Sequence, residues 1–199
     1  YFVVTFFNTA LVGAAIMRLE GKDPTVGDGL RIAFSKIQNI ILWSLVGATI
    51  GLILNALSRR SKNNLLASIA VGLIGASWSI ASFLVIPVMV AENHGPFSSL
   101  KRSVEIIKNK WGTAIVGPAG ISFVFFIAII FSIIFAIILS MALPQLFFLF
   151  ATLAILAIAA LSILSSALKG IFTAAVYVYV AKGTQAQGFD SQLLENAVR

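Results

Sequence analysis

This sequence predicts an all-α integral membrane helical bundle, with about five transmembrane helices and interfacial amphipathic helices between them. Three observations predict it. Hydrophobic residues fill 59% of the 199 positions and charged residues 11%, with a mean hydropathy of +1.02, whereas soluble domains carry about 25% charge. Most of the apolar runs exceed the ~18 residues that a single soluble core tolerates without interruption. The runs also lack period-2 alternation, and hydrocarbon admits only helices or closed barrels.

The elements follow in order. The run Tyr1 to Met17 has no basic segment before it and no small-residue cleavage site near Arg18, so it reads as a span and not as a signal peptide. Because residue 1 is an apolar Tyr and not Met, further chain is expected ahead of it. Asn39 to Leu57 and Leu65 to Ala91 form the second and third runs, joined by the short basic turn Ser58 to Asn64. Trp111 to Met141 and Pro144 to Ala181 form the fourth and fifth. Residues 1–199 are expected to make one polytopic domain, with residues 182–199 as an amphipathic tail. At 31 and 38 residues the last two runs would be about 46 and 57 Å long as helices, against a hydrocarbon core of about 30 Å. Either that hairpin breaks, at Gly117-Pro118-Ala119-Gly120 and near Ser165-Ser166, or it projects apolar surface that another subunit must cover; both outcomes put Phe147, Phe148 and Phe150 near the outer face.

Alternating the spans puts Arg18 to Gln38, Glu92 to Lys110 and the tail on one side. That side holds ten basic residues, Arg31, Lys36, Lys101, Arg102 and Lys108 among them, and all seven acids; the other side holds Arg59, Arg60 and Lys62. The positive-inside rule makes the ten-residue side cytoplasmic, in a prokaryotic inner membrane. If the second and third runs were instead a re-entrant pair, the Ser58 to Asn64 turn would be cytoplasmic too.

The two long connections look alike. Glu20 precedes Pro24 by four residues, as Glu92 precedes Pro96. Leu30, Arg31, Ala33, Phe34, Ile37 and Asn39 match Leu100, Lys101, Ser103, Val104, Ile107 and Asn109 at an offset of seventy. Asp23 and Gly95 stand where N-caps are expected, with the prolines at the first helical position. In the first helix Val26, Leu30, Ala33, Phe34, Ile37 and Ile41 share an apolar face; in the second Leu100, Val104, Ile107 and Trp111 do so. Both read as amphipathic helices entering a span, which gives a span, amphipathic helix, span duplication over residues 1–57 and 65–141. The tail, through Phe189, Leu193 and Ala197, would be a faint third copy.

The aromatic opening Tyr1 to Leu11, the stretch Trp78 to Pro87 leading to Glu92, Leu100 to Ser103 with Trp111-Gly112, and Tyr177-Val178-Tyr179 with Gly183 and Gly188-Phe189 carry a resemblance. The chain resembles a prokaryotic polytopic membrane family of unknown function. More distantly it is similar to YciC-like proteins and to the membrane domain of some glycerophosphodiester phosphodiesterases. The resemblance implies further spans before Tyr1 and brings no catalytic residue.

Candidate sites are few. Lys169 is the lone charge deep in an apolar run, where ionisable residues mark pathways or partners. Counting from the Ala142 to Gln145 turn instead puts it at the inner headgroups, as a snorkelling anchor. Gly47 and Gly51 form a GxxxG for close helix packing, and Asn8 and Asn55 are expected to hydrogen-bond between helices for about 0.6 kcal/mol each. Arg31, Lys36, Lys101, Arg102 and Lys108 are the expected contacts to anionic headgroups. His94, the one histidine of a cysteine-free chain, lacks companions for a metal site and is expected to be a solvated turn residue. No G-x-S-x-G, P-loop or nucleophile–base pair occurs, so neither an enzyme nor a cofactor is expected. The net charge of +7 is assigned to lipid and not to nucleic acid. The expected role is a non-catalytic accessory or scaffold component, associating with other membrane subunits or itself through the 111–181 hairpin. The alternative is a small transporter or channel built on the duplicated unit.

Overall fold

A computed structural model describes residues 1–109 and 113–182, and the described residues are helical with no strand among them. Helix α1 spans Phe2–Leu19, α2 Val26–Ser35, α3 Ile37–Ser61, α4 Leu65–Ser82 and α5 Val85–Ala91. These are followed by α6 over Pro96–Asn109, α7 over Thr113–Ala142, a 3-10 turn at Pro144–Leu146 and α8 over Phe147–Lys182. Five segments are long and apolar enough to cross a membrane: Phe2–Leu19, Ile37–Ser61, Leu65–Ala91, Gly120–Ala142 and Pro144–Ala181. The tail expected to be amphipathic lies outside the described residues, as do Lys110, Trp111 and Gly112.

The third apolar run is two helices and not one. Pro87 has no N–H to give the carbonyl of Phe83, and its ring crowds that carbonyl. The chain accordingly steps out of register at Phe83 and Leu84. The Phe83 N–H bonds Ile80 O at 3.1 Å, and the displaced Leu84 N–H bonds the Ser103 Oγ of α6, also at 3.1 Å. Ser103 is fully buried, so α6 supplies the partner that the break removes.

Neither break expected in the long hairpin occurs. Helix α7 passes through Gly117-Pro118 and α8 through Ser165-Ser166 without interruption. Helix α7 has α8 as its main partner among the described residues. The hairpin joins the remaining helices chiefly through the contact of α8 with α1.

The start of α2 also differs from expectation. Thr25, not Asp23, is the N-cap: its hydroxyl accepts the Asp28 N–H, and Asp28 returns the bond to the Thr25 N–H at 2.9 Å. A Thr with an acidic residue three positions on makes a reciprocal cap that Asp23-Pro24 cannot match, and Pro24 therefore precedes the helix. At α6 the cap falls as expected, with Gly95 ahead of Pro96 and the Ser99 N–H bonded to Gly95 O.

The two short helices pack on neighbouring spans through small residues. In α2, Gly29 and Ala33 are buried while Val26 and Phe34 are 83% and 62% exposed. A Cβ on Gly29 would come within 2.7 Å of Ala10 O, and one on Gly13 within 2.9 Å of Ile32, so α1 and α2 cross at glycine distance. In α6 the buried face is Ser99, Ser103, Ile106 and Ile107, shifted from the Leu100, Val104, Ile107 stripe because the serines must reach Leu84 N and His94 O. The main core joins Val12 and Ile16 of α1 and Leu84 and Val88 at the break to Ile106, Ile107, Ala174, Val176, Tyr177 and Val178.

Candidate functional site

The N-terminal half of α1 lies between α3, the α4–α5 break and α8, and two adjoining cavities open along it. Tyr1 sets one wall. Its ring lies against Gly47, and a Cβ on Gly51 would come within 2.9 Å of its hydroxyl, so the GxxxG of α3 accommodates this aromatic side chain. Trp43 and Trp78 stack at 5.6 Å across α3 and α4. These residues, with Thr5, Asn8, Ser79, Ser82 and Ile86, surround a cavity of about 540 Å³.

The second cavity, of about 310 Å³, shares Asn8, Ser82 and Ile86 with the first. Its other walls include Val12, Phe83, Pro87, Ser166, Lys169 and Thr173. Gly170 brings α8 against α1 here: a Cβ on it would meet Leu11 at 2.8 Å and Asn8 Oδ1 at 3.1 Å. Asn8 and Lys169, chosen separately from the sequence, thus face one space. The hydroxyls of Ser82 and Thr173 are used on their own helices, bonding Trp78 O and Lys169 O. The Lys169 ammonium and the Asn8 amide have no hydrogen-bond or ion-pair partner among the described residues. An amine and an amide facing a space walled by apolar side chains and a few hydroxyls can bind an acceptor, and an anion most strongly.

A polar knot lies one step along α8. The Glu92 carboxylate, at the end of α5, accepts from Tyr177 Oη at 3.1 Å and Arg102 Nε at 3.3 Å, and His94 Nδ1 lies 3.5 Å from it. Tyr177 is fully buried, so α5, α6 and α8 are tied at one level. No group of three or more potential metal ligands occurs among the described residues. Tyr177 was not singled out as a site residue. Its signal was a phenol eight residues from Lys169 in a predominantly apolar run.

The other chosen residues are dispersed. Arg31 is exposed, 3.8 Å from Asp28. Lys36 bonds Asn93 Oδ1. Lys101 and Lys108 are exposed, and Arg102 divides between Glu92 and Glu105. Asn55 is exposed and accepts from Arg59 Nε at 3.0 Å.

Five segments long and apolar enough to cross a membrane are what a multi-pass helical membrane protein requires. Residues 1–189 match the family of unknown function DUF6159, and the chain belongs to that family. No curated protein and no solved structure matches it.

Proposed function

We propose that this chain is a non-catalytic accessory or scaffold component of a membrane assembly. The observation that carries this reading is the hairpin. Helix α7 has α8 as its main partner, while Phe123, Phe126, Phe131 and Phe135 stand exposed along it. At 30 residues it is about 45 Å long, more than hydrocarbon of about 30 Å covers. A photo-crosslinking residue at Phe131 or Phe135 in native membranes is the test. A protein adduct of defined mass is expected; adducts with lipid alone would contradict the reading.

In the same reading α2 and α6 rest on the anionic cytoplasmic leaflet of a prokaryotic inner membrane. Support comes from the exposure of Arg31, Lys101 and Lys108. Replacing these three with Gln should lower the anionic lipid that copurifies, and high salt should shrink the difference. Duplication is part of this reading too. Helices α2 and α6 begin at Val26 and Pro96, the same seventy-residue offset as the aligned residues, and Gly21 and Asn93, each following a Glu and seventy-two residues apart, both have positive φ, at 86° and 55°.

A second reading, a small transporter, is favoured by the cavity at Lys169, which lies among the spans. Flux into reconstituted vesicles that Lys169→Ala abolishes would support it.

A further inference from the structure

We infer that the paired cavities bind an amphiphile with a single apolar chain and an anionic head, a carboxylate or a phosphate, whose head sits on Lys169 and Asn8. Independent features of the site converge on this ligand. Lys169 is the one charged residue within the five membrane-length segments short of their ends. It lies eight residues from Tyr177, about 12 Å along α8, and so well away from the level of the Glu92 knot. An ammonium at such a position is costly unless an anion or water compensates it. No carboxylate lines either cavity, so the compensating anion is not supplied by the residues that form the walls.

The shape of the space distinguishes an amphiphile from a bare ion. Around Lys169 the apolar walls Val12, Phe83, Ile86 and Pro87 stand beside Asn8, Ser82, Ser166 and Thr173, so the space offers a few polar contacts for a head and apolar surface for the chain that follows it. Asn8, Ser82 and Ile86 also line the larger cavity beside Trp43 and Trp78, so the two spaces adjoin and a chain whose head is at Lys169 is placed to extend toward the tryptophans. Each cavity has the volume of a small-molecule site. Asn8 can donate to the same head through its amide, and Ser166 lines the same wall. The Pro87 break helps to form the site, since it displaces Phe83 and Leu84 where the cavity opens.

The inference concerns equilibrium binding, and it stands or falls independently of the hairpin's role. It is tested on the full chain in mild detergent, carrying Trp111→Phe so that Trp43 and Trp78 are the emitters. The probe is 9,10-dibromostearate, whose bromines quench tryptophan at short range. Saturable quenching is expected, weakened about tenfold or more by Lys169→Met and largely retained by Lys169→Arg, as loss of a charge-assisted contact implies. The brominated alcohol of the same chain should quench only weakly, and excess inorganic phosphate should not displace the acid. Equal quenching by acid and alcohol, or an unchanged Lys169→Met, would overturn the inference. Displacement by phosphate would also overturn it, by assigning the site to a free anion. Lys169→Arg guards against misfolding: if it loses binding while eluting as the parent does, an anion site at this residue is contradicted.

Discussion

Ser103 Oγ accepts the Leu84 N–H at 3.1 Å, across the contact between α6 and the break in the third span. The bond exists because Pro87 takes the chain out of helical register, leaving a buried donor that only a neighbouring element can satisfy. The break is thus coupled to α6 through Ser103, and the same break borders the cavity beside Phe83. Ser103→Ala should lower stability by about 1–3 kcal/mol, the cost of a buried unsatisfied donor. Adding Pro87→Ala, which lets the helix close its own bonds, should reduce that cost in a thermal-unfolding double-mutant cycle.

Glycine at the α1–α2 crossing makes a second prediction. A methyl on Gly29 would overlap Ala10 O, whereas one on Gly72 meets nothing within 4 Å. Gly29→Ala should destabilise by about 1–3 kcal/mol, as overpacking does. Gly72→Ala should leave stability unchanged or raise it by up to about 1 kcal/mol through helix propensity. Melting temperatures in one detergent compare the two directly.

At the polar knot, Tyr177→Phe removes one bond to Glu92 and should cost about 1–2 kcal/mol. Glu92→Ala leaves Tyr177 and Arg102 without their shared acceptor and should cost more. Combining the two changes should cost less than the sum of the single effects, because both remove the same contact.

The Thr25 cap gives a pH dependence. The Thr25 hydroxyl, then its backbone N–H, hold the Asp28 carboxyl below its ordinary range. A carboxyl lowered on folding contributes stability above its unfolded value of 3.8, and that contribution is lost as pH falls through the lower folded value. Thr25→Ala should weaken α2 by about 1 kcal/mol at neutral pH. The gap between parent and variant should narrow toward acid, as circular dichroism during acid titration would reveal.

Spans were legible because apolar length alone decides them, and alternation with charge counts organised the connections. The interruption at Pro87 was not legible, since proline is tolerated in membrane helices and the compensating Ser103 lies on another element. Asn8 and Lys169 were both conspicuous as polar groups in apolar runs. Nothing in a one-dimensional pattern joins residues 161 positions apart; that juxtaposition needed α1 and α8 to meet at Gly170. The GxxxG search found Gly47 and Gly51, which accommodate Tyr1. It passed over Gly13, Gly29 and Gly170, whose partners are a side chain, a carbonyl and a leucine on other helices and leave no spacing signature.

The account depends on five helices crossing the membrane in alternation, so that α2 and α6 share one face. The chain contains no cysteine, so single cysteines at positions 31, 62 and 101 can be labelled in intact cells and inverted vesicles with a membrane-impermeant maleimide. Labelling of 31 and 101 from the same side, with 62 reached only from the other, is the predicted result. Positions 31 and 101 reacting from opposite sides would contradict it.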